Sequence, residues 1–132
     1  MNLKNKIYQN SLVAAIIWTL IIFILCAMPG QYIPTSNWLE LLSFDKFVHA
    51  SIFFILTTLW FLVAIKHQQS KVIIGIYFTA VVTYGALLEL MQATIFSNRS
   101  ADWKDIVANS FGCLLAIVFY RRTQNFFLEL KN

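Results

Sequence analysis

The sequence predicts an all-α membrane protein, with four transmembrane helices in an antiparallel bundle. Three observations carry that prediction. First, long stretches are almost free of charge. Residues 47–65 hold His49 as their single ionisable group, residues 72–92 hold Glu89 as their single charged one, and no charge falls between Lys6 and Glu40. A spanning helix needs about 20 mostly apolar residues. Second, the chain is 59% hydrophobic and 12% charged, where soluble domains run to about 25% charged. Third, the basic residues alternate between the short connections in the way that orients a membrane protein.

A chain of 132 residues is expected to form one domain, residues 1–132. Residues 1–10 are a short basic head carrying Lys4 and Lys6, and residues 11–28 form the first helix. A basic start before an apolar run also opens a secretory signal. The small residues such a cleavage site needs are missing around Cys26 and Met28, so the helix is expected to be retained. Pro29 and Gly30 stop it. In the following loop, Pro34 with Thr35 or Ser36 has the pattern of a helix start. Trp38, Leu41 and Leu42 then allow either a short interfacial helix or a loop with a Trp anchor.

Ser43 can cap a second helix over residues 45–65. Asp45 and His49 share a face at i and i+4, and Phe53 continues it. The helix dipole accounts for Asp45 at an N-terminus. It does not account for His49, one turn deeper. Residues 66–71 are a tight turn and residues 72–93 a third helix, where Gly75 and Gly85 are expected to allow close helix approach. Glu89 and Gln92 lie on one face near its end. Glu89 needs a partner, with Lys46, Arg99 and His49 as candidates, or must take up a proton.

Asn98, Arg99 and Ser100 form the next turn, and Asp102 or Ser100 caps a fourth helix over residues 103–120. Asp102, Asp105 and Asn109 form one stripe at i, i+3 and i+7. Ala108, Gly112 and Ala116 form a second stripe, of small residues suited to tight packing. The tail from Thr123, with Phe126 and Phe127, is expected to lie along the inner surface.

Counting Lys and Arg puts both termini in the cytoplasm. Seven of the ten basic residues (Lys4, Lys6, Lys66, Lys71, Arg121, Arg122 and Lys131) then lie inside, and all acids but Glu129 lie outside. The expected location is the cell membrane, multi-pass. The net +4 charge is an orientation signal, and no nucleic-acid partner is expected.

This layout collects polar residues from three segments at one membrane level: Asp45, Lys46 and His49; Glu89 and Gln92; Arg99, Asp102, Asp105 and Asn109. In hydrocarbon such groups are expensive unless they face one another or a cavity. One polar pocket at the outer leaflet is therefore expected. Helix one, which has no comparable residue, is expected to pack outside it. Glu89 and Arg99 are expected to pair or to share a ligand, and Lys46 with Arg99 can hold an anion. No nucleophile motif and no paired-Cys or His-x-x-x-His metal spacing occurs, so no metal or other cofactor is assigned.

DKFVHASIFF and YGALLELMQATIFSNRSADWKDIVANSFG resemble the VanZ-like membrane family. The shared pattern is Asp45, Lys46, His49 and Phe53; then Gly85, Glu89 and Gln92; then Arg99, Asp102, Asp105, Asn109 and Gly112. The resemblance covers about residues 44–120. It implies a small helical membrane protein of the cell envelope, in a family named for a member linked to teicoplanin resistance. The expected partners are a membrane lipid, a lipid-linked envelope precursor or a lipoglycopeptide. The alternative is a membrane-embedded enzyme acting on a lipid-linked phosphorylated substrate, and whether the chain is catalytic stays open.

Overall fold

The computed structural model describes residues 3–32 and 44–129. The expected features at Pro34, Thr35, Ser36, Trp38, Leu41, Leu42 and Ser43 lie outside them. The described chain is helical, in the order α1 (Leu3–Gln9), α2 (Ser11–Ala27), α3 (Phe44–Lys66), α4 (Lys71–Thr94), α5 (Trp103–Val118) and α6 (Tyr120–Leu128). A 3₁₀ turn, Gly30–Tyr32, follows α2. The interruptions have local causes. Pro29 cannot extend α2, and Asn98 turns the chain between α4 and α5 with φ of 54°, a conformation Asn tolerates.

α3 is the central element and packs on each of the other five helices. Its buried face runs through Phe53, Leu56, Thr57 and Phe61. With Ile22, Val81, Leu88 and Cys113 these form the core. The tightest pair is α3 with α5. Gly112 sits against the backbone of Ala50 and Phe54, so the small-residue stripe brings two helix backbones together. Gly85 lies under the Phe53 ring: a Cβ there would come within 2.8 Å of it. Gly75 has nothing within 4 Å, so the expectation of close approach there is corrected. It faces outward, with no helix across from it.

Polar crosslinks tie α2 in. Trp18 Nε1 donates to Ile52 O (3.1 Å), and the Tyr84 hydroxyl donates to Thr19 O (2.7 Å). The opposite faces are apolar: Leu12, Ile16, Leu20 and Ile24 of α2 and Val107, Leu114 and Val118 of α5 are all exposed. Apolar surface on that scale marks contact with something other than water. α3 and α4 are each long and apolar enough to cross a membrane. The pairs α1 with α2 and α5 with α6 pass the same test as bent units.

The bends are 83° between α1 and α2 and 51° between α5 and α6. The expected short basic head, residues 1–10, contains the helix Leu3–Gln9, and the fourth helix, expected over residues 103–120, ends at Val118. Tertiary packing overrides both. Tyr8 is buried and stacks on Phe127 with ring centroids 5.9 Å apart. Both pack on Leu62 and Ile65 of α3, and Lys66 Nζ donates to Gln9 O. α1 and α6 thus close one end of the bundle. The other end holds the ends of α2 and α4 and the starts of α3 and α5.

Candidate functional site

The polar residues gather at that second end because each sits in the first or last turns of its helix. α3 begins with Asp45, Lys46 and His49. α4 finishes with Glu89 and Gln92. α5 begins with Asp102 as its N-cap, its carboxylate accepting from the Lys104 N–H at 2.9 Å. Asp105 and Asn109 follow on the face turned to α3.

Lys46 organises the rim. Its Nζ donates to Asp45 (2.7 Å), to Asp102 (2.9 Å) and to Asp105. An ammonium has three N–H groups, so all are used. The Lys46 hydrogen bond, helped by the Lys104 N–H, holds the Asp102 carboxyl below its usual range. The side chains of Asp45 and Asp102 are 52% and 40% exposed, while that of Asp105 is 15% exposed. Charge is thus compensated at the surface and concentrated inward.

Behind the rim, His49 Nδ1 lies 3.0 Å from Asn109 Oδ1, and its Nε2 lies 3.5 Å from Asp105 Oδ2. Asn109 is buried. Its carbonyl requires a donor, so the contact fixes the proton on Nδ1 and turns Nε2 towards Asp105. Glu89 is 2% exposed, and its Oε2 accepts from the Asp102 N–H at 3.2 Å. With its amide turned to suit both neighbours, Gln92 donates to Glu89 at 3.3 Å and accepts from Arg99 Nη2 at 2.7 Å. The opposite orientation offers a single 3.4 Å bond to Cys26 O and sets a carbonyl against a carboxylate, so the first is the physical one.

Two expectations are corrected here in part. Among the described residues no basic nitrogen makes an ion pair with Glu89, so of the two expected arrangements, pairing or a shared ligand, the direct pair is absent and Gln92 joins Glu89 to Arg99. Glu89 stops at the last turns of α4 while Arg99 lies past the Asn98 turn, and the amide spans the gap. Lys46, spent on three carboxylates, cannot also hold an anion. That leaves Arg99, whose Nε is buried without a hydrogen-bond partner.

A cavity of about 670 Å³ is lined by seven of the nine candidate residues: Asp45, Lys46, His49, Gln92, Arg99, Asp102 and Asp105. Glu89 and Asn109 stand behind its wall. The remaining lining includes Leu25, Met28, Gly30 and Tyr32, so the end of α2 is part of the site and not packing outside it. The signal was present in Gly30. Its N–H donates to Ser97 O (3.4 Å), and a Cβ there would run into the Asn98 carbonyl. Only glycine lets the chain after α2 press against the α4–α5 turn. Asn98 then donates to Gln31 Oε1 at 2.8 Å. A smaller cleft of about 190 Å³ adjoins the cavity at Leu25, His49 and Arg99 and continues between Ile22, Val48, Ile52 and Phe53.

His49, Glu89 and Asp105, from three helices, each offer an atom within 4.8 Å of the others. Among the described residues this is the group whose spacing could hold a metal ion. Comparison with known proteins finds no matching family model, curated protein or solved structure.

Proposed function

We infer that this chain is a VanZ-like integral membrane protein of four spans, and that its polar pocket binds an amphipathic envelope ligand, a lipid head group or a lipoglycopeptide, at the outer leaflet. The observation carrying this reading is a pair of neighbouring spaces. A polar cavity at the helix ends and an apolar cleft between α2 and α3 share Leu25, His49 and Arg99 in their linings. A head group suits the first and an acyl chain the second. Arg99 is the cation left for an anionic group, and the rim carboxylates suit hydroxyls or amines.

Lys66 and Lys71, which flank the turn between α3 and α4, and Arg121 and Arg122 at the start of α6 favour cytoplasmic termini and an outward pocket. α3 and α4, of 23 and 24 residues, are about 35 Å long at 1.5 Å per residue and cross alone. α2 and α5, of 17 and 16 residues, would cross with their bent neighbours completing the path.

A second reading, a membrane enzyme acting on a lipid-linked phosphorylated substrate, draws support from one feature. His49 is oriented by Asn109 and set against Asp105, an arrangement suited to proton transfer. His49→Gln separates the two, since it should abolish turnover and only weaken binding.

The test is native mass spectrometry of the protein extracted into lipid nanodiscs. The expected result is one retained lipid-class adduct on the parent chain and its loss in Arg99→Gln. Adducts of equal abundance on the parent and the variant would contradict a pocket at this place.

A further inference from the structure

We propose that His49, Glu89 and Asp105 form a binding site for one divalent transition-metal ion, with Zn²⁺ the best match. The site goes beyond the ligand reading and does not rest on it.

Two observations point there. The first is the geometry of His49. Its Nδ1 is held by Asn109 Oδ1 at 3.0 Å, and its Nε2 faces Asp105 Oδ2 at 3.5 Å. An ion between the two is held from both sides. Metal-ligating histidines are oriented in this way, the second ring nitrogen donating to a fixed oxygen. The 3.5 Å gap also has the right width. With metal–nitrogen and metal–oxygen lengths of about 2.1 Å, it corresponds to an angle of about 113°, near tetrahedral.

The second observation is Glu89. It is 2% exposed, and among the described residues its partners are N–H groups of Asp102 and Gln92 and no cation. A buried carboxylate is normally paired or ligates a metal.

One imidazole and two carboxylates suit Zn²⁺ better than Mg²⁺ or Ca²⁺, which take all-oxygen sites. Three protein ligands leave a fourth position, and it faces the cavity that His49 and Asp105 line. A head-group oxygen or a water takes that place.

The test uses tag-free protein in detergent, stripped with chelator and titrated with Zn²⁺ alone by calorimetry. One Zn²⁺ per chain is expected. His49→Ala should weaken it at least about 100-fold and Asn109→Ala about 10- to 100-fold, the range for a residue that orients a ligand. His67→Ala, in the exposed turn at the far end, should leave it unchanged. X-ray absorption at the zinc edge of the parent chain should show nitrogen and oxygen neighbours and no sulfur. That readout stands even where a variant fails to fold. No stoichiometric zinc, equal loss in His67→Ala, or a sulfur neighbour (which would implicate Cys26) overturns the proposal.

Discussion

Gly112→Leu is expected to destabilise the protein by about 3 kcal/mol, the upper part of the usual range for overpacking. Gly112 is buried in the α3–α5 contact. A Cβ there would meet the Ala50 carbonyl, with the Ala50 carbonyl carbon 2.9 Å and the Phe54 nitrogen 3.0 Å away. These are backbone atoms of a helix interior and cannot step aside by changing rotamer. The helices must separate, and α5 carries Asp105 and Asn109 with it, away from Lys46 and His49. Stability and ligand binding should therefore fall together. Gly75→Leu is the control. Nothing lies within 4 Å of that position, so its effect should stay within about 0.5 kcal/mol. Thermal denaturation in detergent measures both. Equal losses would contradict the packing account.

Lys46→Met should cost about 3 kcal/mol, the low end for stranding a buried charge. Three carboxylates lose their cation, but Asp45 and Asp102 reach solvent and are screened there. The cost falls on Asp105, which is 15% exposed. Adding Asp105→Asn removes the stranded charge and should recover part of the loss. The double-mutant cycle should show a coupling of about 1–3 kcal/mol. Additive losses would mean that the ion pair contributes nothing.

The helices were legible in the sequence because lipid leaves an apolar run of about 20 residues little choice. The reading of residues 45–65 and 72–93 came within one residue of Phe44–Lys66 and Lys71–Thr94. The gathering of the polar residues at one end of the bundle was legible too, since each sits in the first or last turns of its helix. What periodicity does not give is which faces meet. Gly75 and Gly85 look alike in the sequence, yet α3 crosses only Gly85. The place of Gln92 between Glu89 and Arg99 depends on the course of the Asn98 turn. The share of α2 in the cavity depends on where the chain goes after Pro29. The bends near Asn10 and Phe119 carry neither glycine nor proline. They come from the packing of Tyr8 on Phe127, a contact between the two ends of the chain.

The proposed placing of the polar end of the bundle on the outer side of the membrane is tested most directly by cysteine labelling in intact cells. Ser100, exposed and lining the cavity, is replaced by Cys in one variant, and Gln69, exposed in the turn at the opposite end, in another. The parent chain, with Cys26 half-buried and Cys113 buried, gives the background. A membrane-impermeant maleimide should label Ser100→Cys in intact cells and Gln69→Cys only after permeabilisation. The reverse pattern, or equal labelling of both in intact cells, would contradict the account.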